Sequence, residues 1–448
     1  MSALSFGEAL DRQKLRPFQL VTVGLVLMAL VIDGLDYQLL ALLAPVILQE
    51  WEIARADFGA AMAAALFGMA FGAAGGGWIG DRIGRLRALV LAVVLFGLAT
   101  MAASRAQGVG TLAALRVLGG IGFGAAGPNA IALASEWMPQ RLRTYVVAVL
   151  AIGTPAGGML GALVLPILLP GLGWRGVFAL LGAVAVALAG VLVISLRESP
   201  PWLLRRGRGE AARAAARRVL PAETAWSAPP PPAPPPGTGS ARAQPAALFS
   251  AAFARLNLGI GLSFAALTAI VYGLGAWMPS FLTAAGFTLD QALAASFTFN
   301  ACSIAGALAA GWLARAQGSR RVMLASALAT AVLLVLFGLG LDASAGAPLF
   351  AARLALDSLA GAIGAAASIG ITTLYAMAAM LYPAEIRSSG IGLGMTAGRV
   401  GGIAMSFAGG HLLDAADGSA LILFGALAAC ALLATSAGLI VRRHIARA

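Results

Sequence analysis

The sequence predicts an all-α membrane protein of twelve transmembrane helices in two pseudo-symmetric six-helix halves, and three observations carry that prediction. The chain is 60% hydrophobic and only 11% charged over 448 residues, with a mean hydropathy of +0.90, which leaves too little polar surface to cover a water-soluble globule. Apolar stretches of about 20 residues recur along it, each long enough to cross a hydrocarbon core roughly 30 Å thick as a helix. The short alternating segments of a membrane β-barrel are absent. Cys302 and Cys430 lie inside apolar stretches without metal-type spacing, so neither a disulfide framework nor a metal site is expected.

Taken in order, residues 1–17 form a cytoplasmic N-terminus that contains Glu8 and Asp11 and lacks a small-residue cleavage site, so no removed signal peptide is expected. Spans begin near Phe18, Phe58, Ala88, Val109, Leu142 and Trp174 in an N-terminal half of residues 18–196. They begin near Ala252, Gln291, Val322, Pro348, Ser388 and Ser419 in a C-terminal half of residues 251–441, followed by a cytoplasmic tail at 442–448. Between the halves, residues 197–250 carry a basic stretch around Arg205 to Arg218 and the run Pro229 to Pro236, and read as an extended linker. The formal net charge of +12 is not a nucleic-acid signal, because its placement follows topology. Of 30 basic residues, Arg55, Arg105 and Arg175 fall on outer segments and Arg116, Arg353 and Arg399 within spans. The rest fall on one side, which puts both termini in the cytoplasm. Gly77-Trp78 and Gly311-Trp312 open equivalent loops after spans two and eight, as expected of a duplicated unit with a solute site near the bilayer midplane.

Span one contains Asp33-Gly34-Leu35-Asp36. Phe18 to Ile32 is 15 residues, about 22 Å of helix, too short to cross. The span therefore continues through both aspartates to about Ile47. Three residues apart, they share a helix face. Two carboxylates in a low-dielectric setting resist simultaneous ionisation, so one is expected to hold a proton near neutral pH, as a proton carrier must. Asp36 is the favoured carrier, and a purely structural role is the alternative.

Arg116 in span four lies at a depth from which it can reach Asp36. It is expected either to pair with that residue or to receive a substrate carboxylate, with a plain structural ion pair as the alternative. Arg399 in span eleven has no acid on its own helix, which makes it a counter-charge for an anionic solute or a partner of Asp357. Arg353 and Asp357, four apart on span ten, read as a structural ion pair. Tyr272, Trp277, Phe299 and Tyr375 are candidates for an apolar slot around a substrate ring, with Asn129 and Asn300 as hydrogen-bond donors; packing is the alternative for each. Glu136, Arg141, Arg143, Glu385 and Arg387 sit at cytoplasmic helix ends and, with Asp81 and Arg85, are candidates for a gate network rather than solvated surface charge.

The loop Gly77-Trp-Ile-Gly-Asp81-Arg82-Ile-Gly84-Arg85-Leu-Arg87 joins glycines that allow close helix approach to one carboxylate and three cations. It resembles the signature loop of the major facilitator superfamily. Four further segments narrow the resemblance: Arg116 through Pro128-Asn129 to Arg143, Arg197-Glu-Ser-Pro-Pro-Trp202, Trp277-Met-Pro279, and Tyr382-Pro-Ala-Glu385-Ile-Arg387 followed by Gly398-Arg399. With these, nearly the whole chain is similar to the aromatic acid:proton symporter family. That resemblance implies uptake of benzoate-like or hydroxybenzoate-like anions with protons across a bacterial inner membrane. The expected partners are a small aromatic carboxylate, protons and membrane lipid, with no nucleic acid, no cofactor beyond the coupling proton, and a functional monomer.

Two departures stand out. Arg315 occupies the second-half position equivalent to Asp81, and Gly153-Thr-Pro155-Ala-Gly157-Gly158 in span five leans toward facilitator antiporters. Proton-driven export, or symport of another organic anion, is therefore the alternative. No HExxH, GxSxG or GxxxxGK[ST] pattern is present, so neither an enzyme nor a nucleotide-driven pump is expected.

Overall fold

The computed structural model describes residues 4–221, 224, 226–227, 248–343, 350–383, 386–415 and 421–441. These are helical almost throughout, because a chain crossing hydrocarbon must pair its backbone polar groups within itself. The first four spans are α2 (Pro17–Trp51), α3 (Arg55–Ile83), α4 (Arg85–Ala103) and α5 (Val109–Trp137). α6 (Gln140–Ala151) passes at Ile152 into α7 (Gly153–Ser195), which is broken at Gly173 with φ 62° and ψ 172°. The fifth and sixth spans thus follow one another without a loop. The remaining spans are α10 (Ala251–Ala284), α11 (Leu289–Gln317), α12 (Ser319–Ala343), α13 (Phe350–Leu381), α14 (Arg387–Asp414) and α15 (Leu421–Ile440). Among the described residues, ten stretches are long and apolar enough to cross a membrane, the joined Gln140–Ser195 among them. The break at Gly173 divides the joined stretch in two, and the glycine-rich α14 adds a further helix of 28 residues.

Internal contacts group residues 1–37, 67–157 and 175–234 into one unit and 38–66, 158–174 and 235–448 into another. This cuts across the expected halves, since residues 38–66 and 158–174 group with the C-terminal helices. Gly59 of α3 lies against the Phe407 backbone of α14 closely enough that a Cβ there would overlap its carbonyl oxygen.

In the first unit, Gly68, Gly72, Gly76 and Gly80 form a stripe along α3 against α5, where added Cβ atoms would overlap the backbone at Val117, Ile121 and Ala125 and the side chain of Asn129. Small residues at this spacing are how membrane helices approach without a hydrophobic driving force. The N-terminus is more ordered than a plain tail. α1 (Phe6–Asp11) is closed by a capping box between Ser5 and Glu8. It buries Phe6 beside Trp137 and Trp226, with ring centroids 6.1 and 4.8 Å away. The segment expected as an extended linker holds α8 (Pro200–Arg205) and α9 (Gly209–Ala216), and β1 (Leu4–Ser5) pairs in parallel with β2 (Trp226–Ser227). Ala212, Ala215, Ala216, Val219 and Leu220 give this stretch an apolar face that joins the unit's core. The Pro229 to Pro236 run and the 442–448 tail lie outside the described residues.

In the second unit, α10 packs along α14, and Trp277 is fully buried with its indole N–H donating to the Ser406 carbonyl at 2.9 Å. Phe281, Phe337 and Phe424 form a ring cluster with centroids 5.0 to 6.0 Å apart.

Candidate functional site

α2 carries the aspartate pair of the first unit, and α7 is fitted against that stretch of α2 by glycine. A Cβ at Gly157 would overlap the Val31 and Leu35 backbone, and one at Gly153 would meet Leu30. The span-five glycine motif therefore has a packing role at this place. Both aspartates are buried, at 2% and 5% exposure, yet their surroundings differ. Asp36 faces α4 and α5. Its Oδ1 accepts from the Thr100 hydroxyl at 2.5 Å, and both carboxylate oxygens lie 3.3 Å from the Arg116 guanidinium. A second guanidinium nitrogen donates to the Asp36 carbonyl at 2.9 Å. Arg116 is itself 2% exposed, so the ion pair is desolvated on both sides and bound twice to one residue. Asp33 has no such company: its Oδ1 is buried without a hydrogen-bond partner.

Asn129, one of the expected substrate donors, spends its amide on the Gly76 carbonyl at 2.9 Å and the Ala125 carbonyl at 2.8 Å, which ties α5 to α3.

The second unit holds Arg399 on α14, and no acid among the described residues lies within ion-pairing distance of it. The competing partner, Asp357, lies 3.8 Å from Arg353, one turn away on α13. Tyr272 packs its ring against Gly402 on α14, and Phe264 packs against Gly394 of the same helix. Tyr375 stands edge-on to Phe264 at 4.8 Å. Asn300 forms a reciprocal amide pair with Gln38, both bonds at 3.1 Å, and also donates to the Ser296 carbonyl at 2.9 Å. Phe299 and Trp277 are buried in helix contacts, at 4% and 0% exposure. Of the four aromatic candidates, Tyr272 lies against α14 within one turn of Arg399.

At the terminus-side ends of the first unit's spans, the α3–α4 loop is a charge network. Gly84 turns the chain with φ 111°, a conformation other residues resist. Asp81 pairs with Arg85, whose guanidinium lies 3.8 Å from Glu136, and Arg205 reaches Glu136 at 3.5 Å. Arg82 stacks over Trp78 at 3.8 Å. Gly77 has open space beside it.

The residue that organises this loop is Glu198, present in the quoted motif but given no role by sequence. It accepts from the Arg85 N–H at 2.9 Å and the Leu86 N–H at 3.1 Å, capping α4 from a distance of over a hundred residues. Burial pushes its carboxyl above the ordinary value, partly opposed by the N–H groups of Ser199, Leu86 and Arg85. Trp202 and Arg206 add donors to the Asp81 carbonyl at 3.0 and 2.9 Å. Arg141 and Arg143 stand apart from these acids. The Arg141 N–H donates to Asp11 at 3.3 Å, and Arg143 to the Met138 carbonyl at 3.4 Å. Arg387 opens α14, exposed and without an ion pair among the described residues, and Glu385 lies outside them.

A helical membrane protein with buried, selectively paired charges and a glycine-led charge loop is a secondary transporter in its architecture. Residues 26–352 match the Major Facilitator Superfamily, and the chain belongs to it. It is 35% identical to the 4-hydroxybenzoate transporter PcaK of Pseudomonas aeruginosa over 95% of this chain and 94% of that one. It is 30% identical to the gallate transporter of Pseudomonas putida over 92% and 90%. Its fold matches the xylose transporter XylE from E. coli in a partially occluded inward-open conformation with a TM-score of 0.70, 17% identity and coverage of 95% and 98%.

Proposed function

We propose that the chain is a proton-coupled symporter that imports small aromatic carboxylates of the benzoate or hydroxybenzoate kind by alternating access, across a bacterial inner membrane, with both termini cytoplasmic. The coupling ion is the proton, no bound cofactor takes part, and a monomer in lipid suffices.

The observation that carries this reading is the division of labour within the aspartate pair. An ionised carboxylate in a membrane span without a cation is costly, and Asp33 is the member left without one. Asp36 already has its cation and a hydroxyl. Asp33 is therefore the group that takes and releases the proton, and Asp36 with Arg116 is the fixed charge beside which that exchange is felt. The substrate carboxylate goes to Arg399, an unpaired guanidinium that can receive it in two parallel hydrogen bonds, with the Tyr272 and Tyr375 rings supplying an apolar, partly polar flank. The names of the relatives, transporters of 4-hydroxybenzoate and gallate, support the substrate class.

The test is uptake of labelled benzoate and 4-hydroxybenzoate by proteoliposomes with and without an inward proton gradient. Accumulation above equilibrium that needs the gradient and collapses with a protonophore is expected. Equal uptake in both conditions, or gradient-driven export from everted vesicles, would contradict symport.

A further inference from the structure

We propose that a cavity in the second unit, at the membrane face opposite the N-terminus, is a separate capture site for a carboxylate, with Arg55 as its cation. The proposal rests on the reading of the chain as a carrier of aromatic carboxylates.

The cavity measures about 520 Å³ and lies where α2, α10 and α14 end and α3 begins. That volume falls within the roughly 300–1,000 Å³ of small-molecule sites. Pro45, Leu48 and Ile53 give it an apolar wall, and Arg55, Asp414 and Ser280 give it polar groups. Arg55 and Asp414 meet through a single contact of 3.4 Å, with side chains 32% and 28% exposed. A committed guanidinium–carboxylate pair is shorter and commonly two-pronged.

The reason for the loose fit is on the acid's side. The stronger bond of Asp414, 2.7 Å, goes to the Ala56 N–H in the first turn of α3, where a helix terminus favours negative charge. Asp414 is thus held by the helix end, and Arg55 has no other partner among the described residues. Ser280 provides a second, independent sign. It is 2% exposed, lines the same cavity, and its hydroxyl oxygen is buried with no hydrogen-bond partner. An incoming benzoate would replace one long contact to Arg55 with a two-pronged pair, set its ring on the apolar wall and leave Asp414 on α3. Arg55 is also one of only three basic residues that topology assigns to the outer segments, so an anion approaching that face meets little other positive charge.

The geometry makes an unusual demand on mutants. If Arg55 binds the anion, Asp414 competes with the ligand, and removing each charge has opposite effects. If the two side chains are only a latch, removing either has the same effect. In right-side-out vesicles, Arg55→Gln is expected to raise the benzoate KM about fivefold with little change in maximal rate, the scale of one partly exposed charge contact. Arg55→Lys should fall between it and wild type. Asp414→Asn keeps an acceptor for the Ala56 N–H and should lower KM. Shifts of the same sign in Arg55→Gln and Asp414→Asn, or no shift in Arg55→Gln, would overturn the site.

Calorimetric titration of the purified protein with benzoate separates this claim from the transport reading. The Arg399→Gln protein, lacking the cation of the transport site, should retain weak benzoate binding that Arg55→Gln then removes. Residual binding indifferent to Arg55 would overturn the capture site. Failure of wild-type vesicles to accumulate any aromatic carboxylate would instead count against the transport reading.

Discussion

Two arginines within spans, Arg116, which is buried, and Arg399, which is only partly buried, are treated by the fold in opposite ways. Arg116 is enclosed: α2 brings it a carboxylate and a backbone carbonyl, and α4 adds a hydroxyl to the same carboxylate. Arg399 has no acid among the described residues within ion-pairing distance, and Asp357 instead lies 3.8 Å from Arg353 on its own helix. A saturated cation can only hold structure and respond to a neighbour's charge. An unsaturated one is free to meet a ligand, the role proposed for Arg399.

That contrast can be broken by mutation. Arg116→Gln strands the Asp36 carboxylate in an apolar setting and is expected to cost about 3–5 kcal/mol of stability, read as a large fall in Tm in detergent. Arg399→Gln is expected to leave Tm unchanged or slightly raised while cutting uptake kcat/KM by roughly 100-fold, the scale of a buried charge-assisted pair. If both variants lost stability equally, the two sites would be of one kind. Thr100→Val sharpens the first half of the comparison. It deletes a single hydrogen bond to Asp36 and should lower stability by about 1 kcal/mol, with coupling intact.

The smallest effect is expected at the charge loop. The Glu198 carboxyl is raised from 4.5 by burial. A folded value above the unfolded one means that the folded state binds the proton more tightly, so that stabilisation is full below about 4.5 and is lost as pH rises through the raised value. The Tm of wild type relative to Glu198→Gln should therefore fall as pH is raised from 4 to 7, a trend a thermal-shift series would detect.

Much of this architecture was legible in the sequence because bilayer thickness is a ruler. Fifteen residues before Asp33 cannot cross, so both aspartates had to lie in the membrane, and matching depths brought Arg116 to Asp36. The signature loop declared itself by composition, and the break before Trp174 coincided with an expected span start. What was not legible depends on pairings across long separations or on short segments. Thr100 is a lone hydroxyl in an apolar run, 64 residues from its partner. Glu198 reaches α4 over 113 residues, and Gln38 meets Asn300 over 262. The N-terminal helix and the two linker helices, of 6, 6 and 8 residues, are too short for periodicity to reveal them and owe their form to docking. Asn129 was legible as a polar residue in a span, but its work on the Gly76 carbonyl required knowing that a glycine stripe faces it.

The central claim is that Asp33, not Asp36, carries the coupling proton, and Asp33→Asn tests it most directly. Asparagine is close to isosteric with the protonated acid and cannot ionise, so exchange of labelled benzoate between equal internal and external pools should persist in proteoliposomes while gradient-driven accumulation disappears. Gradient-driven accumulation at the wild-type level in Asp33→Asn would contradict the account.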